Sequence, residues 1–339
     1  MNYTTNRKLS RRDFLKLAGT GLAAVGLGSL AAGCTPQAPG AKLHTGQKLD
    51  WWWWGEQEGP GLEAWIKDSA KIYQDKTGNI LTPTLMDTDV VVSQFQTASA
   101  ANDAPDVIFL WNGSYCMESV WMGYVEPLNE LIPENIRAAS NHTILSTYQD
   151  KLYRLGFYAL ASLWSYGKDV FDKSGLNADE SPKTWDDFLN ACDKIKTAGY
   201  LPISGGLRDG FWGGWWLTNT LVHDLDSAGE ALDLFVGDLD WREAKYLDHW
   251  AKLQQLQQAG FLNEDMLSID LYPGIEVFMS GNSGFTAMVS TMVPESLRLL
   301  GPGKAGLMVL PYGGQGAFAG LKPIADTQGW CISSQSNNK

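Results

Sequence analysis

Histidine and cysteine are scarce in this chain of 339 residues, which has four of each. The histidines, at His44, His142, His223 and His249, are scattered and show none of the spacings that are typical of a metal site. The sequence also lacks the G-x-S-x-G, H-E-x-x-H and P-loop patterns, so no serine hydrolase, zinc peptidase or nucleotide-binding enzyme is indicated. We therefore expect no metal, no cofactor and no catalytic residue.

Basic residues are outnumbered as well. The chain has 26 Lys and Arg against 38 Asp and Glu, which gives a net charge of −12. Nucleic acid is excluded as a partner, because there is no basic stripe to neutralise phosphates. The hydrophobic fraction of 44% is enough for a large core, and a chain of this length usually holds more than one compact domain.

The N-terminal apolar stretch, residues 17–33, is too short and too rich in glycine to be a good membrane span. It follows Ser10–Lys16 (SRRDFLK), which fits the twin-arginine export pattern. It ends in Leu30–Cys34 (LAAGC), which resembles a bacterial lipobox. We expect residues 1–33 to be a signal peptide and Cys34 to carry a lipid. Residues 34–47 are expected to form a flexible tether that anchors the protein to the outer face of the cell membrane, in the periplasm or at the cell surface.

Three further cysteines, Cys116, Cys192 and Cys331, are widely spaced and odd in number. This pattern is not a disulfide framework. A twin-arginine substrate crosses the membrane already folded, which is consistent with reduced thiols. We expect these cysteines to be buried and unreactive.

Tryptophan is abundant, with 15 copies. Some of these rings belong to the core, but the run Trp51–Trp54 cannot point inward throughout, because successive side chains of a strand alternate between its two faces. Some of the rings must therefore face solvent, a ligand or a second domain.

The hydrophobic pattern of the first third of the mature chain predicts a β-α-β-α-β order, with strands at 48–54, 80–85 and 106–110 and helices at 61–77 and 90–101. Such an order implies a parallel sheet with helices on both faces, and such sheets bind ligands at the carboxyl ends of their strands. Further segments are predicted along the rest of the chain: strands at 152–157, 160–166, 285–289 and 305–310, and helices from Thr184 to about 198 and at 242–259.

Several motifs in this order resemble the family 1 extracellular solute-binding proteins, the maltose-binding-protein-like class. They are Pro105–Phe109 (PDVIF), Leu152–Leu155 (LYRL), Leu163–Phe171 (LWSYGKDVF), Pro182–Phe188 (PKTWDDF), Phe278–Met288 and Gly329–Lys339. The resemblance covers residues 48–339. Family members usually continue for several more helices, so we expect a sequence truncated at its C-terminus.

The resemblance implies an α/β fold of two lobes, each a sheet flanked by helices, with the ligand held in the cleft between them. One lobe would comprise 48–121 with 273–308, and the other 122–272 with 309–339. Hinge crossings are expected near 122–127, 272–278 and 308–312. The implied function is the capture of a sugar or oligosaccharide for an ABC importer, by a monomer that closes on its ligand and is then recognised by membrane permease subunits.

A sugar needs aromatic rings against its C–H faces and polar groups at its hydroxyl edges. Residues of these types lie at the ends of the first three predicted strands, on the strand near residue 165 and in the glycine-rich stretch after residue 208. The candidates are Trp53, Trp54, Glu56, Asp87, Trp111, Asn112, Trp164, Tyr166, Asp209, Trp212 and Trp215. For Asp87 a role in capping a turn is the alternative, and for the tryptophans it is core packing.

Other functions remain open at this point. A polyamine site would also combine aromatic rings with acids, and a peptide is a further alternative ligand. A glycoside hydrolase would need two carboxylates facing each other across the sugar, such as Glu56 and Asp209, but no motif places them so. A surface adhesin is a weaker alternative.

Overall fold

The computed structural model describes residues 45–140, 146–321 and 324–339. The export motif, Cys34 and most of the predicted tether lie outside these residues. In the described part, no helix is long and apolar enough to cross a membrane. Its main element is an eight-stranded mixed sheet flanked by helices, which confirms the predicted α/β class.

The N-terminal strands pair as expected. Strand β1 (Lys48–Trp53) lies between β2 (Ile80–Leu85) and β3 (Val107–Leu110) and is parallel to both. Helix α1 (Leu62–Thr77) connects β1 to β2, and helix α2 (Val91–Ala100) connects β2 to β3, because parallel neighbours need a crossover. The C-terminal ends of β1 and β3 therefore lie side by side.

One long strand, β6 (Leu155–Gly167), is shared by two parts of the sheet. Its first half pairs antiparallel with β10 (Ile324–Ile332), which also pairs with β3. Its second half pairs antiparallel with β8 (Ser283–Val289) and β9 (Ala305–Met308), and β7 (Leu201–Ser204) lies parallel to β8. We call β1–β3 with β10 the first strand group and β7–β9 the second strand group.

These pairings differ from the predicted division of the chain. Residues 273–308 were expected with the first three strands and 309–339 with the other lobe, but β8 and β9 belong to the second strand group and β10 to the first. The chain crosses between the groups within β6 and again between β9 and β10, and the hinges near 122–127, 272–278 and 308–312 stay predictions. Alternation along a strand reveals its faces but not its partners, so these pairings could not be predicted from the sequence.

The remaining elements are mostly helical. Helix α6 (Trp185–Thr197) starts with a capping box at Thr184, whose Oγ1 accepts the Asp187 N–H while the Asp187 carboxylate accepts the Thr184 N–H, both at 3.1 Å. Helix α9 is shorter than the predicted 242–259, because a separate 3₁₀ turn at Ala244–Tyr246 precedes it. The helices are α3 (Ser114–Trp121), α4 (Glu134–Ala139), α5 (Lys168–Lys173), α6 (Trp185–Thr197), α7 (Phe211–Asn219), α8 (Ala228–Val236), α9 (Asp248–Gln258), α10 (Leu271–Met279) and α11 (Val293–Leu300); two short strands, β4 (Thr147–Tyr148) and β5 (Lys151–Leu152), pair with each other.

Two large apolar cores accompany the two strand groups. The first core contains Phe95, Phe109 and Trp111 and lies beside β3. The second core is larger, contains many aromatic rings and lies beside β7 and β8. Phe211 and Tyr272 pack against both cores. The two residues therefore mark the place where the two halves of the molecule meet.

Candidate functional site

Trp53 is the last residue of β1, and Trp54 follows it directly. Their side chains point to opposite faces of the sheet, because successive side chains of a strand alternate. Trp53 is buried in a small cluster with Ile66 of α1. Trp54 enters the first core, where its indole N–H donates to Thr88 Oγ1 at 2.7 Å. Of the two, Trp54 is the one on the side of the sheet that faces the other half of the molecule, because its ring contacts Trp111.

Glu56 holds the start of α1. Its carboxylate accepts the backbone N–H groups of Gly61 at 2.8 Å and Glu63 at 2.6 Å. A second acid, Glu58, is not among the residues predicted from the sequence. Its side chain is only 3% exposed, and the sequence gives no sign of this burial. Its carboxylate accepts the Tyr158 hydroxyl at 2.8 Å and faces Gln328 Nε2 at 3.4 Å. Glu58 is therefore the acid that β6 and β10 enclose.

Four aromatic rings meet where the halves of the molecule join. Trp111, directly after β3, has its ring centroid 4.8 Å from that of Trp54, 5.5 Å from that of Tyr115 and 5.0 Å from that of Phe211. Tyr115 and Phe211 are stacked, with centroids 5.7 Å apart. Phe211 comes from the start of α7 and the other three rings from the first strand group and α3, so the contact bridges the halves. We call Trp54, Trp111, Tyr115 and Phe211 the aromatic cluster.

Asp209 fixes the position of Phe211 relative to the cluster. One carboxylate oxygen accepts the Phe211 N–H at 3.2 Å, and the other accepts the Leu271 N–H at 3.0 Å, so the side chain joins the starts of α7 and α10. The loop before it lies very close to α10, because a Cβ added to Gly274 would lie 2.2 Å from the carbonyl carbon of Gly205. Asp209, a candidate from the glycine-rich stretch after residue 208, therefore lies where α7 and α10 begin.

Two tyrosine hydroxyls lie in the field of these acids. The pKa of Tyr115 is raised by burial and then by the charges of Asp209 and Glu118. Burial also raises the pKa of Tyr272, and the charges of Glu58 and Asp209 raise it further. Both hydroxyls therefore keep their protons at neutral pH and can donate hydrogen bonds. The junction thus combines aromatic faces with carboxylates and hydroxyl donors.

Two arginines near the junction, Arg208 and Arg154, already bind groups of the protein. The Arg208 guanidinium forms a two-pronged ion pair with Asp270, with Nε 2.7 Å from Oδ1 and Nη2 on Oδ2. Arg154 is fully buried, and its Nε donates to the Leu110 carbonyl at 2.7 Å and its Nη1 to Ser146 Oγ at 2.9 Å. The charge of Arg208 is therefore paired with a carboxylate, and the Arg154 guanidinium is held by neutral protein acceptors.

Other predicted site residues belong to the second core. Trp212 is fully buried, is stacked on Trp216 with centroids 5.8 Å apart, and lies 6.3 Å from Trp164, which is also fully buried. Tyr166 packs on Phe171 at 4.6 Å. These three predicted residues, Trp164, Tyr166 and Trp212, are not brought to the aromatic cluster, since their rings are covered by core neighbours.

Helical spacing explains which α7 residue reaches the cluster. Trp212 and Trp216 are four positions apart and share the face that packs into the second core. Phe211 and Trp215 share the neighbouring face, and both are only partly buried. The helix begins at Phe211, directly after Gly210 in the left-handed conformation. The period of the helix could therefore have identified Phe211 once this start was known.

Two candidates lie at strand ends without joining the cluster contacts. Asp87 is exposed after β2, and its backbone carbonyl accepts the N–H of Val91 at 3.1 Å, which forms the turn into α2. Asn112 is half-buried between Trp111 and α3. Ligand contact by either residue stays a prediction.

A separate cavity of about 620 Å³ lies away from the aromatic cluster. Its walls include Trp185 at the start of α6, His223, and Tyr312 after β9. None of the predicted site residues lines it. All of its walls belong to the half that contains the second strand group, so it is not the junction between the halves. In the described part of the chain, no group of three or more His, Cys, Asp or Glu residues is placed to hold a metal ion.

Comparison with known families and curated proteins gives consistent matches. Residues 53–338 match the family described as bacterial extracellular solute-binding protein. An uncharacterized ABC transporter extracellular-binding protein of Pyrococcus horikoshii is 28% identical over 223 residues, which are 62% of this chain and 49% of that protein. An sn-glycerol-3-phosphate-binding periplasmic protein of Agrobacterium fabrum is 24% identical over 156 residues, 43% of this chain and 36% of that protein. The chain thus spans about half the length, or less, of the curated relatives it matches.

Solved structures share the fold at low sequence identity. A protein from a study of xylan utilization by Caldanaerobius polysaccharolyticus superposes with a TM-score of 0.71 at 20% identity, over 86% of this chain and 74% of that one. A chitin oligosaccharide binding protein gives 0.68 at 21% identity, over 86% and 73%. The GacH receptor of Streptomyces glaucescens gives 0.67 at 15% identity, over 87% and 73%.

Proposed function

Because this chain belongs to the bacterial extracellular solute-binding protein family, we propose that it is the solute-binding component of an ABC importer and that it binds a sugar or oligosaccharide. The observation that carries the ligand class is the junction of the two halves. There Asp209 accepts the backbone N–H of Phe211, a member of the aromatic cluster. The charges of Asp209 and Glu58 both act on Tyr272, and Glu58 accepts the Tyr158 hydroxyl. Aromatic faces and acceptor-rich edges are what a sugar requires.

Capture would work by closure of the two halves on the ligand. Phe211 touches Trp111 and Tyr115 from the opposite half, so a ring-shaped ligand that enters here would contact both halves at once. A ligand that makes contacts with both halves favours the closed arrangement over the open one. The chain runs between the halves within β6 and again between β9 and β10, and bending would occur at these two places.

The names of the relatives suggest two ligand chemistries. Chitin oligosaccharide and acarbose appear in the names of structural neighbours, and sn-glycerol-3-phosphate in those of curated relatives. The charges at the junction favour the neutral ligand. Glu58 and Asp209 add negative charge, whereas Arg208 is neutralised by Asp270 and Arg154 is enclosed by protein acceptors. In the part of the chain that the structure describes, these two arginines are held by protein partners, and a phosphate would be repelled by the acids.

We therefore expect a neutral oligosaccharide to bind and sn-glycerol-3-phosphate to bind at least about a hundred-fold more weakly, the equivalent of about 2.7 kcal/mol. Isothermal titration with chito-oligosaccharides, xylo-oligosaccharides, sn-glycerol-3-phosphate and putrescine measures this. Tight binding of the phosphate would refute the charge argument. Heat from putrescine alone would support the polyamine alternative, because aromatic rings and acids also suit a cation.

The same saccharides test the hydrolase alternative. The acids of the junction already accept protein hydrogen bonds: Glu58 from Tyr158, and Asp209 from two backbone N–H groups. Neither is left as a free acid opposite a second carboxylate, as glycoside hydrolysis requires. Prolonged incubation of the protein with the bound oligosaccharide is expected to leave it intact by chromatography, and shortened products would contradict a binding role.

Anchoring outside the cell and docking to permease subunits complete the proposal. We expect the full chain, expressed in a bacterial host, to incorporate labelled fatty acid, because Cys34 ends the lipobox-like sequence and two acyl chains hold a protein stably at a membrane. A Cys34→Ser variant should remain unlabelled, and a Cys192→Ser variant should label like the parent chain. Label on the Cys34→Ser variant would contradict the predicted anchor site.

A further inference from the structure

Cys116 and Cys331 lie next to each other in the first core. Their sulfur atoms are 4.0 Å apart, and both residues are fully buried. Cys116 belongs to α3, and Cys331 belongs to β10, so the pair joins two elements that are 215 positions apart in sequence. The other cysteine of the described residues, Cys192, is buried in the second core.

We propose that Cys116 and Cys331 are a redox pair, which closes into a disulfide when the protein meets a disulfide-bearing oxidant outside the cytoplasm. A bonded pair of sulfurs lies about 2.0 Å apart, so the two side chains need to approach by about 2 Å. Both thiols belong to one packed core and already contact each other, so among the three cysteines that the structure describes they are the pair placed to react. Cysteines of exported proteins meet the oxidising conditions in which disulfides persist.

The surroundings assign the order of attack. The hydrogen bond from Cys331 and the charge of Arg154 lower the pKa of Cys116 against the effect of burial, whereas burial raises the pKa of Cys331. Cys116 is therefore the thiol that ionises first, and the thiolate is the nucleophile in disulfide exchange.

The chemistry balances with a disulfide as the oxidant. The Cys116 thiolate attacks one sulfur of the oxidant, breaks its S–S bond and releases one thiolate, which takes up the proton that Cys331 loses. The Cys331 thiolate then attacks the Cys116 sulfur of the mixed disulfide and releases the second thiolate, which takes up a proton from solvent in place of the one that Cys116 gave up on ionising. The two protein thiols lose two electrons in total, and the oxidant is reduced to two thiols.

The bond would act on the binding site as well as on stability. Helix α3 carries Tyr115 of the aromatic cluster, and β10 carries Gln328 beside Glu58. Closing the disulfide would fix these two walls of the junction to each other. It would also constrain the unfolded chain across a long loop, which stabilises the folded state in the chain-entropy account.

The test uses the full chain, reduced, freed of reductant and then incubated with oxidised glutathione, with and without a low urea concentration that opens buried sites transiently. We expect the mass of the chain to fall by two hydrogen atoms and the number of thiols that react after denaturation to fall by two. Peptide mapping should link the Cys116 and Cys331 peptides. The melting temperature should rise by about 5 °C or more, as expected for a cross-link of this loop length in a folded domain.

Matched variants decide the outcome. A Cys192→Ser chain should still lose two thiols and gain the same melting increment, whereas a Cys331→Ser chain should lose both effects. The proposal is overturned if the reduced and the oxidant-treated chains have the same thiol count in both conditions. It is equally overturned if the mapped cross-link joins Cys192 or Cys34 instead.

Discussion

Replacing Phe211 with alanine is expected to weaken oligosaccharide binding by about thirty-fold or more, the equivalent of about 2 kcal/mol, which is typical of a central aromatic contact. Phe211 is the ring that the second half of the molecule contributes to the aromatic cluster, where it contacts Trp111 and stacks on Tyr115. Without Phe211, the ligand would keep its contacts with the first half and lose its aromatic contact with the second half. The ligand would then stabilise the closed arrangement less. Isothermal titration with the best oligosaccharide of the panel measures the loss.

The matched control is a phenylalanine of α8. Phe235 is 45% exposed, and its ring contacts Trp241 at a centroid distance of 6.2 Å, away from the cluster. A Phe235→Ala chain should bind the oligosaccharide like the parent chain. Equal losses in the two variants, or no loss in the Phe211→Ala chain while it remains folded, would show that the junction is not the ligand site.

The N-terminal part of the fold could be predicted because its signals are local. Short apolar strands alternate there with amphipathic helices, and because a parallel pair of strands requires a crossover, the order of elements predicts the parallel orientation of β1, β2 and β3. Trp54 and Trp111 were identified by the same logic, because the ends of parallel strands lie side by side. Both belong to the aromatic cluster.

The second half of the fold depends on long-range pairing, which sequence patterns do not show. Strand β6 is long enough to serve both strand groups, and β10 returns to lie beside β3. From the sequence, β6 was divided into two strands, and the pairing of the segments after residue 273 could not be predicted. Antiparallel partners can be distant in sequence, and a strand's own residues carry no record of which partner it meets.

Around the junction, the structure draws attention to residues one or two positions away from two of the predicted candidates, which stay predictions. Glu56 was chosen from the loop after β1, but the structure buries Glu58, because Glu56 is used to hold the start of α1. Trp212 was chosen from α7, but the ring at the cluster is that of Phe211. A turn of one residue about a helix changes the direction of a side chain by roughly 100°, so the exact start of α7 decides which aromatic ring faces which core.

The neighbouring position provides the complementary test, since Trp212→Ala is expected to lower the free energy of unfolding by about 3–5 kcal/mol. Trp212 is fully buried and stacked on Trp216, and its indole N–H has no hydrogen-bond partner among the described residues, so the loss is one of packing. Urea denaturation followed by tryptophan fluorescence and circular dichroism measures it. A Trp250→Ala chain, which removes a ring that is 46% exposed, should differ from the parent by less than about 1 kcal/mol.

If the core and the cluster are as distinct as their contacts indicate, Trp212→Ala lowers stability while the folded fraction still binds ligand. Phe211→Ala then weakens ligand binding while the chain stays folded. A Trp212→Ala chain of unchanged stability that loses binding would instead place Trp212 at the ligand.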